Sequence, residues 1–534
     1  AEIPALVAKY RAAPFDADGW ADSLAYFAAD GAGVVQREAA WHAYYLRAMA
    51  TVEEYFVHRI VPQGSAYGYV QGANGAPRDF AISVAPLAYT APDLAKDVLR
   101  YMMRATWADG RPSYSTTGTG VLTGAILHEF PSDLDLSFLW AMTEYLFATR
   151  DFAFLDERVP YYPLSDGAMA TVRARIVGAY RRLVDFVGVG EHGLIRVLQG
   201  DWSDGIFLQA RDPLAFWLQG ESTYNTALAV YLLPRLADLA AGWDPDLAAD
   251  MRARAEAWRE AMEAQWRGRW YLRGWFGDGR PIGEERLQVE QSAWILAGAG
   301  AYRPERVDAL AESLTEILID PSPIGARLLF PPVPESSDVL EPGWDVNGGV
   351  WAAMNGVLAW GLGNVDPALG WSELRKNLLA THADVYPNVW YGIWSGPDSY
   401  NAAYARRPGE TFEHLATAMN EFPGMNSNAH AAPLLALLKL AGLDARAGEI
   451  VVDPKLPFER FSLVTHTAVL RRAPGAFEGS WRAASDGPVR MRVRFPGASS
   501  VDVEGVGVPF DQEGPFVRFE LPLVANERVA WSLR

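Results

Sequence analysis

The sequence predicts a mainly α-helical fold, an (α/α)6 toroid of six helical hairpins, followed by a small C-terminal antiparallel β domain. Two observations support this prediction. Apolar residues recur with a helical period in twelve segments that Gly- and Pro-rich loops separate. After Gly442 the pattern changes to the alternation that is typical of strands. We therefore expect a lead segment at 1–34, the toroid at 35–445, and a β-sandwich or jelly-roll-like domain at 446–534.

The twelve helical segments form six consecutive pairs, as the hairpins of a toroid require. In such a barrel the ends of the inner helices and their loops surround one central cleft, so residues far apart in sequence can meet there. The expected helices are Gln36 to Val57, Pro92 to Ala105, Leu134 to Thr149, Ala168 to Phe186, Ser222 to Ala241, Pro245 to Gln265, Glu290 to Ala301, Pro304 to Leu318, Gly348 to Leu362, Trp371 to Ala383, Gly409 to Met419 and Ala429 to Leu440.

The C-terminal segments alternate polar and apolar residues and are bounded by Gly and Pro. Phe461 to Arg471, Val489 to Phe495 and Phe516 to Leu521 show this pattern, which predicts antiparallel strands. We expect the β domain to pack against the helices. The long irregular stretch at about 320–346 is rich in Pro and Gly, a composition typical of a lid or a linker.

Composition limits the classes of function. With 534 residues, of which 50% are hydrophobic, the chain can bury a large core. The formal net charge of -18 argues against nucleic acid or an anionic membrane as a partner, because both select basic surfaces. Zero cysteines exclude disulfides and thiolate catalysis, and the eight histidines lack metal-ligand spacing. We therefore expect no catalytic metal and no cofactor, whereas calcium at Asp453 and Asp511 in the β domain stays open.

No apolar run approaches the roughly 18 residues that a membrane-spanning helix requires. We therefore expect a soluble protein, whereas the compartment stays open because a secreted protein can also lack cysteine. The chain begins at Ala1 without a charged start and an apolar segment. We expect that any signal or preceding domain has been removed.

The most informative segment runs from Gly200 to Gly205 and places Asp201 and Asp204 on either side of Trp202. A partly desolvated carboxylate in such a loop can hold the raised pKa that a general acid needs. An aromatic ring beside it suits the apolar face of a sugar. A turn capped by two aspartates is the simpler explanation of the spacing alone.

This segment resembles the "GDWND" acid segment of glycoside hydrolase family 94, the cellobiose phosphorylase family. Four further segments resemble the family in the same order. Ala76-Pro77-Arg78-Asp79 is similar to its "GFRD" loop, Ser132 to Asp135 to its "SDD" helix, and Trp270 to Arg273 with Gln291 to its "WYLRA...QSW" section. The fourth, Leu440 to Pro457, resembles the exit from the last helix into the C-terminal β domain. The resemblance covers most of the chain, except that the family's N-terminal β-sandwich has no counterpart. It implies the α/α toroid and activity on glycosidic bonds.

The resemblance also implies roles for individual residues. Asp204 corresponds to the aspartate that donates the proton, and Trp202 would pack beside the sugar. Charged hydrogen bonds to hydroxyls of the nonreducing-end sugar would favour the correct substrate. The residues expected to bind substrate are Arg78, Asp79, Asp133, Asp135, Asp201, Trp202, Glu221, Arg273, Gln291 and Trp394.

The family's phosphate site is not matched in the sequence. Val350 stands where the family has a histidine after "NGG", and Tyr386-Pro387-Asn388 replaces the glutamate of an "EPY" segment. Because a phosphate dianion needs donors and positive charge, these losses predict that water attacks instead. Water requires a general base, for which Glu421 is the first candidate, Asp398 the second and Asp345 the third.

We therefore expect an inverting glycoside hydrolase that cleaves a β-linked gluco-oligosaccharide or related glycoside by single displacement. Two alternatives stay open. One is a glycoside phosphorylase whose phosphate site is rebuilt from Asn426, Ser427, Asn428, His430 and a nearby arginine. The other is a noncatalytic carbohydrate-binding toroid or a domain of a larger glucan-processing enzyme. The sequence leaves the sugar, the linkage, the anomeric preference and the oligomeric state open.

Overall fold

The computed structural model describes residues 20–64, 75–116, 120–123, 130–203, 210–334, 341–391, 394–412 and 426–534, together with Pro4, Ala8 and Ile206. In this part of the chain the helices are α1 (Gly33–Ala48), α2 (Pro77–Thr90), α3 (Pro92–Arg104), α4 (Leu134–Thr149), α5 (Val172–Arg181), α6 (Pro213–Gln219), α7 (Thr223–Ala240), α8 (Pro245–Glu263), α9 (Val289–Ala297), α10 (Pro304–Leu314), α11 (Ala352–Val365), α12 (Pro367–Lys376), α13 (Leu379–Val385) and α14 (Asn428–Leu440).

The strands of the first 400 residues are short. They are β1 (Tyr26–Ala29), β2 (Thr51–Glu53), β3 (His58–Ile60), β4 (Ser115–Thr116), β5 (Leu122–Thr123), β6 (Arg158–Pro160), β7 (Met169–Thr171), β8 (Glu221–Ser222), β9 (Gly274–Trp275), β10 (Pro281–Ile282), β11 (Leu287–Gln288), β12 (Leu329–Phe330), β13 (Val350–Trp351) and β14 (Ser399–Tyr400).

The remaining strands follow α14 and continue almost to the end of the chain. They are β15 (Leu443–Ala445), β16 (Glu449–Val452), β17 (Phe461–Val464), β18 (Ala468–Ala473), β19 (Ala476–Arg482), β20 (Gly487–Arg494), β21 (Val501–Val503), β22 (Val506–Gly507), β23 (Asp511–Glu513), β24 (Phe516–Leu523) and β25 (Arg528–Leu533).

Six helices form the inner part of the helical region: α2, α4, α7, α9, α11 and α14. Each contacts the next, and α14 contacts α2. Their sequences explain this position, because every residue of α4 is buried and α14 is buried along its whole length. By contrast, α3 carries one apolar stripe and packs with that face against α2 and α4. Among the described residues, no helix is long and apolar enough to cross a membrane.

Two sheets make up the C-terminal region. The seven-stranded sheet has the order β1-β17-β18-β19-β25-β21-β22, and the five-stranded sheet has the order β15-β16-β20-β24-β23. β1, which precedes all the helices named above, pairs with β17 and brings Tyr26 opposite Val464. β16 pairs with β20 in parallel, whereas the other pairings in the two sheets are antiparallel.

The predicted fold class, a mainly α toroid of six regular hairpins with a small antiparallel β domain, is wrong. The structure is 44% helical and 21% strand, and its C-terminal region contains more than one sheet. The loops between helices also contain strands of two or three residues, too short to show an alternating pattern. The helices are less regular than predicted, since 371–383 spans α12 and α13, and 168–186 contains β7, α5 and a π-helical stretch.

One further predicted helix, 409–419, is not found at its described start. Residues 409–412 are not helical, and the remainder of that prediction lies outside the described residues. Pro408 and Gly409 explain the start, because neither residue favours a helix interior and Gly409 has a φ of 76°.

The C-terminal sheets pack against the ends of α2 and α4. Thr467 donates a hydrogen bond to the carbonyl oxygen of Ala88 at 3.0 Å, and the Trp481 indole donates to that of Ala148 at 3.0 Å. The guanidinium of Arg150 donates to the carbonyl oxygens of Arg446 and Ala447. These contacts cover the C-terminal ends of the two helices, and the opposite end carries the site described below.

Candidate active site

The starts of the inner helices bring buried polar side chains together at one end of the helical region. Arg78 lies in the first turn of α2, which Pro77 initiates, and its side chain is 5% exposed. Its guanidinium donates to the carbonyl oxygens of Asp201 at 2.8 Å and Trp202 at 2.9 Å. Its Nε lies 3.2 Å from Oδ2 of Asp133, which precedes α4. Arg78 therefore joins two inner helices to the loop that carries the acid segment.

Asp201 accepts three hydrogen bonds through its side chain. It accepts hydrogen bonds from the Ser203 amide at 3.0 Å, the Ser222 hydroxyl at 2.5 Å and Nη2 of Arg273 at 2.7 Å. Nε of Arg273 lies 3.5 Å from Oε1 of Glu290, and all three charged side chains are fully buried. Burial, opposed by Arg273, raises the pKa of Glu290. These bonds engage both carboxylate oxygens and hold the Asp201 side chain in place.

Trp202 is buried and packs edge-on against Trp351, with ring centroids 5.1 Å apart. Trp351 in turn donates from its indole to the carbonyl oxygen of Asp345 at 2.9 Å. The two rings form an aromatic wall beside the acid segment. Asp204, the predicted acid, and Glu421, the first predicted base, lie outside the described residues.

Asp79 and Asp398 form a buried carboxylate pair. Nδ2 of Asn428 donates to Oδ1 of Asp79 at 2.8 Å and lies 3.4 Å from Oδ1 of Asp398. Nε2 of Gln63 lies 3.4 Å from Oδ2 of Asp398. Burial and the negative charge of Asp398 raise the pKa of Asp79 to about 7. Asp79 can therefore carry a proton near neutral pH, and its carboxyl group can then donate a hydrogen bond.

Protonation of Asp79 gives a testable dependence of stability on pH. The pKa of Asp79 is about 7 in the folded protein, against 3.8 for an unperturbed aspartate, so the folded protein binds the proton more tightly than the unfolded chain. Its contribution to the free energy of unfolding is therefore present below pH 3.8 and lost as the pH rises through about 7. We expect Asp398→Asn to reduce this loss, because it removes the charge that raises the pKa.

Urea unfolding at several pH values across that range measures the effect. It is carried out on the wild type, Asp398→Asn and the exposed control Asp246→Asn. The control should follow the wild type. If the free energy of unfolding depends on pH in the same way in all three proteins, the carboxylates of Asp79 and Asp398 do not interact.

The start of α14 carries a second group of buried polar residues. Nδ2 of Asn426 and Oγ of Ser427 are buried and lack a hydrogen-bond partner among the described residues. His430 bonds to the Ser395 hydroxyl at 2.8 Å, contacts His42 at 3.1 Å and stacks on Tyr45 with centroids 4.0 Å apart. Burial and His42 hold the pKa of His430 well below its usual value, so its ring is neutral.

Several predicted substrate-binding residues lie elsewhere. Asp135 bonds to Arg182 at 2.6 Å, on a different side of α4 from Asp133. Glu221 accepts from the amides of His192 and Leu194 and lies 2.5 Å from the His192 ring, so it holds a turn.

Gln291 and Trp394, two further predicted substrate-binding residues, differ widely in solvent exposure. Gln291 is buried and donates to the Tyr271 carbonyl at 3.3 Å, and Trp394 is 71% exposed at the rim. The structure thus brings together Arg78, Asp79, Asp133, Asp201, Trp202, Arg273 and Asp398.

Some site residues were not among the candidates for substrate binding. Glu290 precedes the matched Gln291, and Trp351 follows the "NGG" position, so both lay beside recognised motifs. Ser222 follows the predicted Glu221, whereas Gln63 gave no such signal. Their roles depend on partners that only the folded chain brings near.

Comparisons with known proteins found a matching family and several relatives. Residues 56–362 match the model of the glycosyl hydrolase 94 superfamily, catalytic domain. The chain is 28% identical over 255 residues to solabiose phosphorylase of Paenibacillus borealis, an alignment that covers 46% of this chain and 30% of that protein. It is 31% identical over 153 residues to 3-O-beta-D-glucopyranosyl-beta-D-glucuronide phosphorylase of the same organism, covering 27% and 18%.

A solved structure shares the fold. The family 78 rhamnosidase of Bacillus sp. GL1 superposes with a TM-score of 0.52 at 12% identity, over 86% of this chain and 40% of that one. The chain thus spans less than a third of the length of the curated relatives it matches. Because the family model covers more than half of the chain and includes the acid segment, this protein belongs to the glycosyl hydrolase 94 superfamily.

Proposed function

We propose that the protein is a glycoside phosphorylase that cleaves a β-linked glucoside from its nonreducing end with inversion. The observation that carries this proposal is the alignment with two proteins named as phosphorylases, one of solabiose and the other of a 3-O-beta-D-glucopyranosyl-beta-D-glucuronide. The sequence motifs favoured hydrolysis, with phosphorolysis as the alternative, and the relatives support the alternative better. The proposed substrate is an oligosaccharide or a related glycoside.

The sugar whose bond is broken would lie against Arg78, Asp79, Asp398 and the wall formed by Trp202 and Trp351. Charged hydrogen bonds to hydroxyl groups are stronger than neutral ones, and a missing hydroxyl would leave a buried charge unpaired. A protonated Asp79 would donate a hydrogen bond to a sugar hydroxyl, and the remaining carboxyl oxygens of the pair would accept hydrogen bonds. This combination suits a polyhydroxylated neutral ring.

Asp204 would donate a proton to the glycosidic oxygen while a phosphate oxygen attacks the anomeric carbon from the opposite face. The carbon–oxygen bond to the leaving sugar breaks as the bond to phosphate forms, giving an α-sugar 1-phosphate from a β-glycoside. Asp201, held by Arg273, Ser222 and Ser203, would fix the loop that carries Asp204. Small errors in the position of a catalytic group cost large factors in rate.

The start of α14 is the best place for phosphate among the described residues. Asn426 and Ser427 offer buried side-chain donors without a partner among the described residues, and the N-terminus of a 13-residue helix adds a favourable dipole. This arrangement would replace the histidine that the family has after "NGG". It relies on neutral donors, since His430 is uncharged.

Ser427→Ala is expected to raise the KM for phosphate about tenfold, because a hydrogen bond to a charged group contributes about 1.5–3 kcal/mol. The KM for the glycoside should change little. Steady-state rates at varied phosphate measure the effect. The matched control is Ser313→Ala, whose buried hydroxyl bonds to the Ala309 carbonyl within α10. Equal KM values for phosphate in Ser427→Ala and wild type would remove α14 from the phosphate site.

The reverse reaction tests the proposal independently. A phosphorylase releases inorganic phosphate from α-glucose 1-phosphate only when an acceptor sugar is present. Screening monosaccharide and disaccharide acceptors for phosphate release should therefore identify both the activity and the acceptor. Failure with all acceptors, combined with hydrolysis of a glucobiose in phosphate-free buffer, would overturn the proposal.

Hydrolysis is the second candidate, and the carboxylates near α14 favour it. Asn428, in the first turn of α14, bonds to both Asp79 and Asp398, which places negative charge beside the proposed phosphate site. Negative charges near the site disfavour the binding of a phosphate dianion. In a hydrolase, Asp398 or Glu421 would activate water as the general base. Dependence of turnover on phosphate separates the two candidates.

A further inference from the structure

Four aromatic side chains contact one another at the rim of the site. Trp394 is 71% exposed, although the Trp41 indole donates to its carbonyl oxygen at 2.6 Å and the two rings lie 5.9 Å apart. Trp41 stacks on Tyr44 with centroids 5.5 Å apart, and Tyr44 contacts Trp20 at 5.2 Å. We call Trp20, Trp41, Tyr44 and Trp394 the aromatic ledge.

The aromatic ledge is built by two separate parts of the chain. Trp41 and Tyr44 lie three residues apart on α1, so they face the same side of that helix. Trp394 comes from the loop between α13 and β14 and is held by its backbone bond to Trp41. The ring of Trp394 is therefore presented to solvent by a supported backbone. A single exposed ring is common on protein surfaces, whereas a supported group of rings marks a binding surface.

The loop that carries Trp394 leads directly into the site. Ser395 bonds to His430, the Gly396 carbonyl accepts from the Asn426 amide at 3.0 Å, and Asp398 belongs to the carboxylate pair. Four residues span at most about 14 Å, so Trp394 lies within a few sugar units of Asp398. Tyr45, next to Tyr44, stacks on His430. The aromatic ledge is thus continuous with the proposed sugar site.

We propose that the aromatic ledge binds pyranose rings of a β-linked gluco-oligosaccharide beyond the sugar held by Arg78 and Asp79. The apolar faces of pyranose rings stack on exposed aromatic rings. The placement of the cleaved bond rests on the proposed function, whereas binding to the ledge does not. The substrate would then be longer than a disaccharide.

Calorimetric titration of β-1,2-, β-1,3- and β-1,4-linked glucose oligomers, from two to five units, tests the ledge. Asp204→Asn serves as the parent protein so that substrate is not consumed. For at least one linkage the tetramer should bind at least tenfold more tightly than the dimer. Adding Trp394→Ala should abolish this gain and leave the affinity for the dimer within about twofold. Trp394→Phe, which keeps a ring, should retain most of the gain.

Trp390→Ala is the matched control, because Trp390 is also 71% exposed but contacts Tyr391 rather than the ledge. Trp390→Ala should keep the full gain in affinity that comes with a longer oligomer. The proposal is overturned if affinity does not depend on length, if no oligomer binds, or if Trp394→Ala behaves like its parent. Light scattering adds one outcome: conversion of an oligomer to a monomer by Trp394→Ala, with the length dependence unchanged, would make the ledge a subunit contact.

The same data separate this inference from the proposed function. Length-dependent binding lost in Trp394→Ala, without phosphorolysis by the wild type, would support the ledge and refute the phosphorylase. Phosphorolysis of a disaccharide without any gain from longer chains would do the reverse.

Discussion

Asp204→Asn is expected to slow cleavage of an unactivated glucobiose about a thousandfold, since a positioned general acid contributes about 10²–10⁴-fold. The asparagine cannot donate a proton to the leaving oxygen, although it occupies the same volume. The KM for the glycoside should change much less than kcat, because the acid contributes mainly in the transition state. Initial rates at saturating glycoside and phosphate measure the loss.

A substrate whose leaving group needs no proton supplies the control. With a β-glucosyl fluoride, Asp204→Asn should keep a rate within about tenfold of the wild type, because the missing acid no longer limits the reaction. Asp212→Asn tests specificity, since Asp212 is an exposed helix cap beyond the acid loop and asparagine caps equally well. Equal losses with the glucobiose and the fluoride would contradict the assignment of Asp204 as the acid.

Arg273→Ala is expected to lower the free energy of unfolding by about 3–5 kcal/mol, because it leaves a buried charge unpaired. Arg273 lies between Asp201 and Glu290, and all three side chains are fully buried. The variant also frees Asp201, so the acid loop should lose its fixed position. Urea unfolding midpoints and slopes, compared with the wild type, measure the loss.

Arg280→Ala is the matched control, because Arg280 pairs with Asp278 at 2.8 Å but about a third of each side chain is exposed. Such a pair contributes about 0–1 kcal/mol. If Arg273→Ala fails to fold, Glu290→Gln provides the second measurement, and it should cost less because the Arg273–Asp201 pair remains. Equal effects of Arg273→Ala and Arg280→Ala would contradict a structural role for the buried cluster.

The sequence predicted the family and much of the helical region because these depend on local patterns. Rare residues in a fixed order identified the family, and the period of apolar residues located most helices. It failed to predict the amount and arrangement of the β-structure. Strands of two residues leave no alternating pattern, and the pairing of β1 with β17 joins parts of the chain more than 400 residues apart.

Within the site, the sequence likewise could not predict which side chains would meet. Asp133 and Asp135 both match the family motif, but positions two apart on a helix point in different directions, so Asp135 meets Arg182 instead of Arg78. The bond from Asn428 to Asp79 spans 349 residues and requires the contact between α14 and α2. No local sequence pattern predicts such a long-range contact. The proximity of Asp398 to Asp79 depends on the same contact, because Asn428 bonds to both side chains.

Proton NMR of β-linked glucobioses and longer oligomers, incubated with the protein with and without inorganic phosphate, tests the central proposal most directly. We expect an α-sugar 1-phosphate to appear only when phosphate is present, together with the shortened acceptor. Free sugar released at the same rate without phosphate would contradict the phosphorylase and establish the hydrolase, with Asp398 and Glu421 as the bases to replace next.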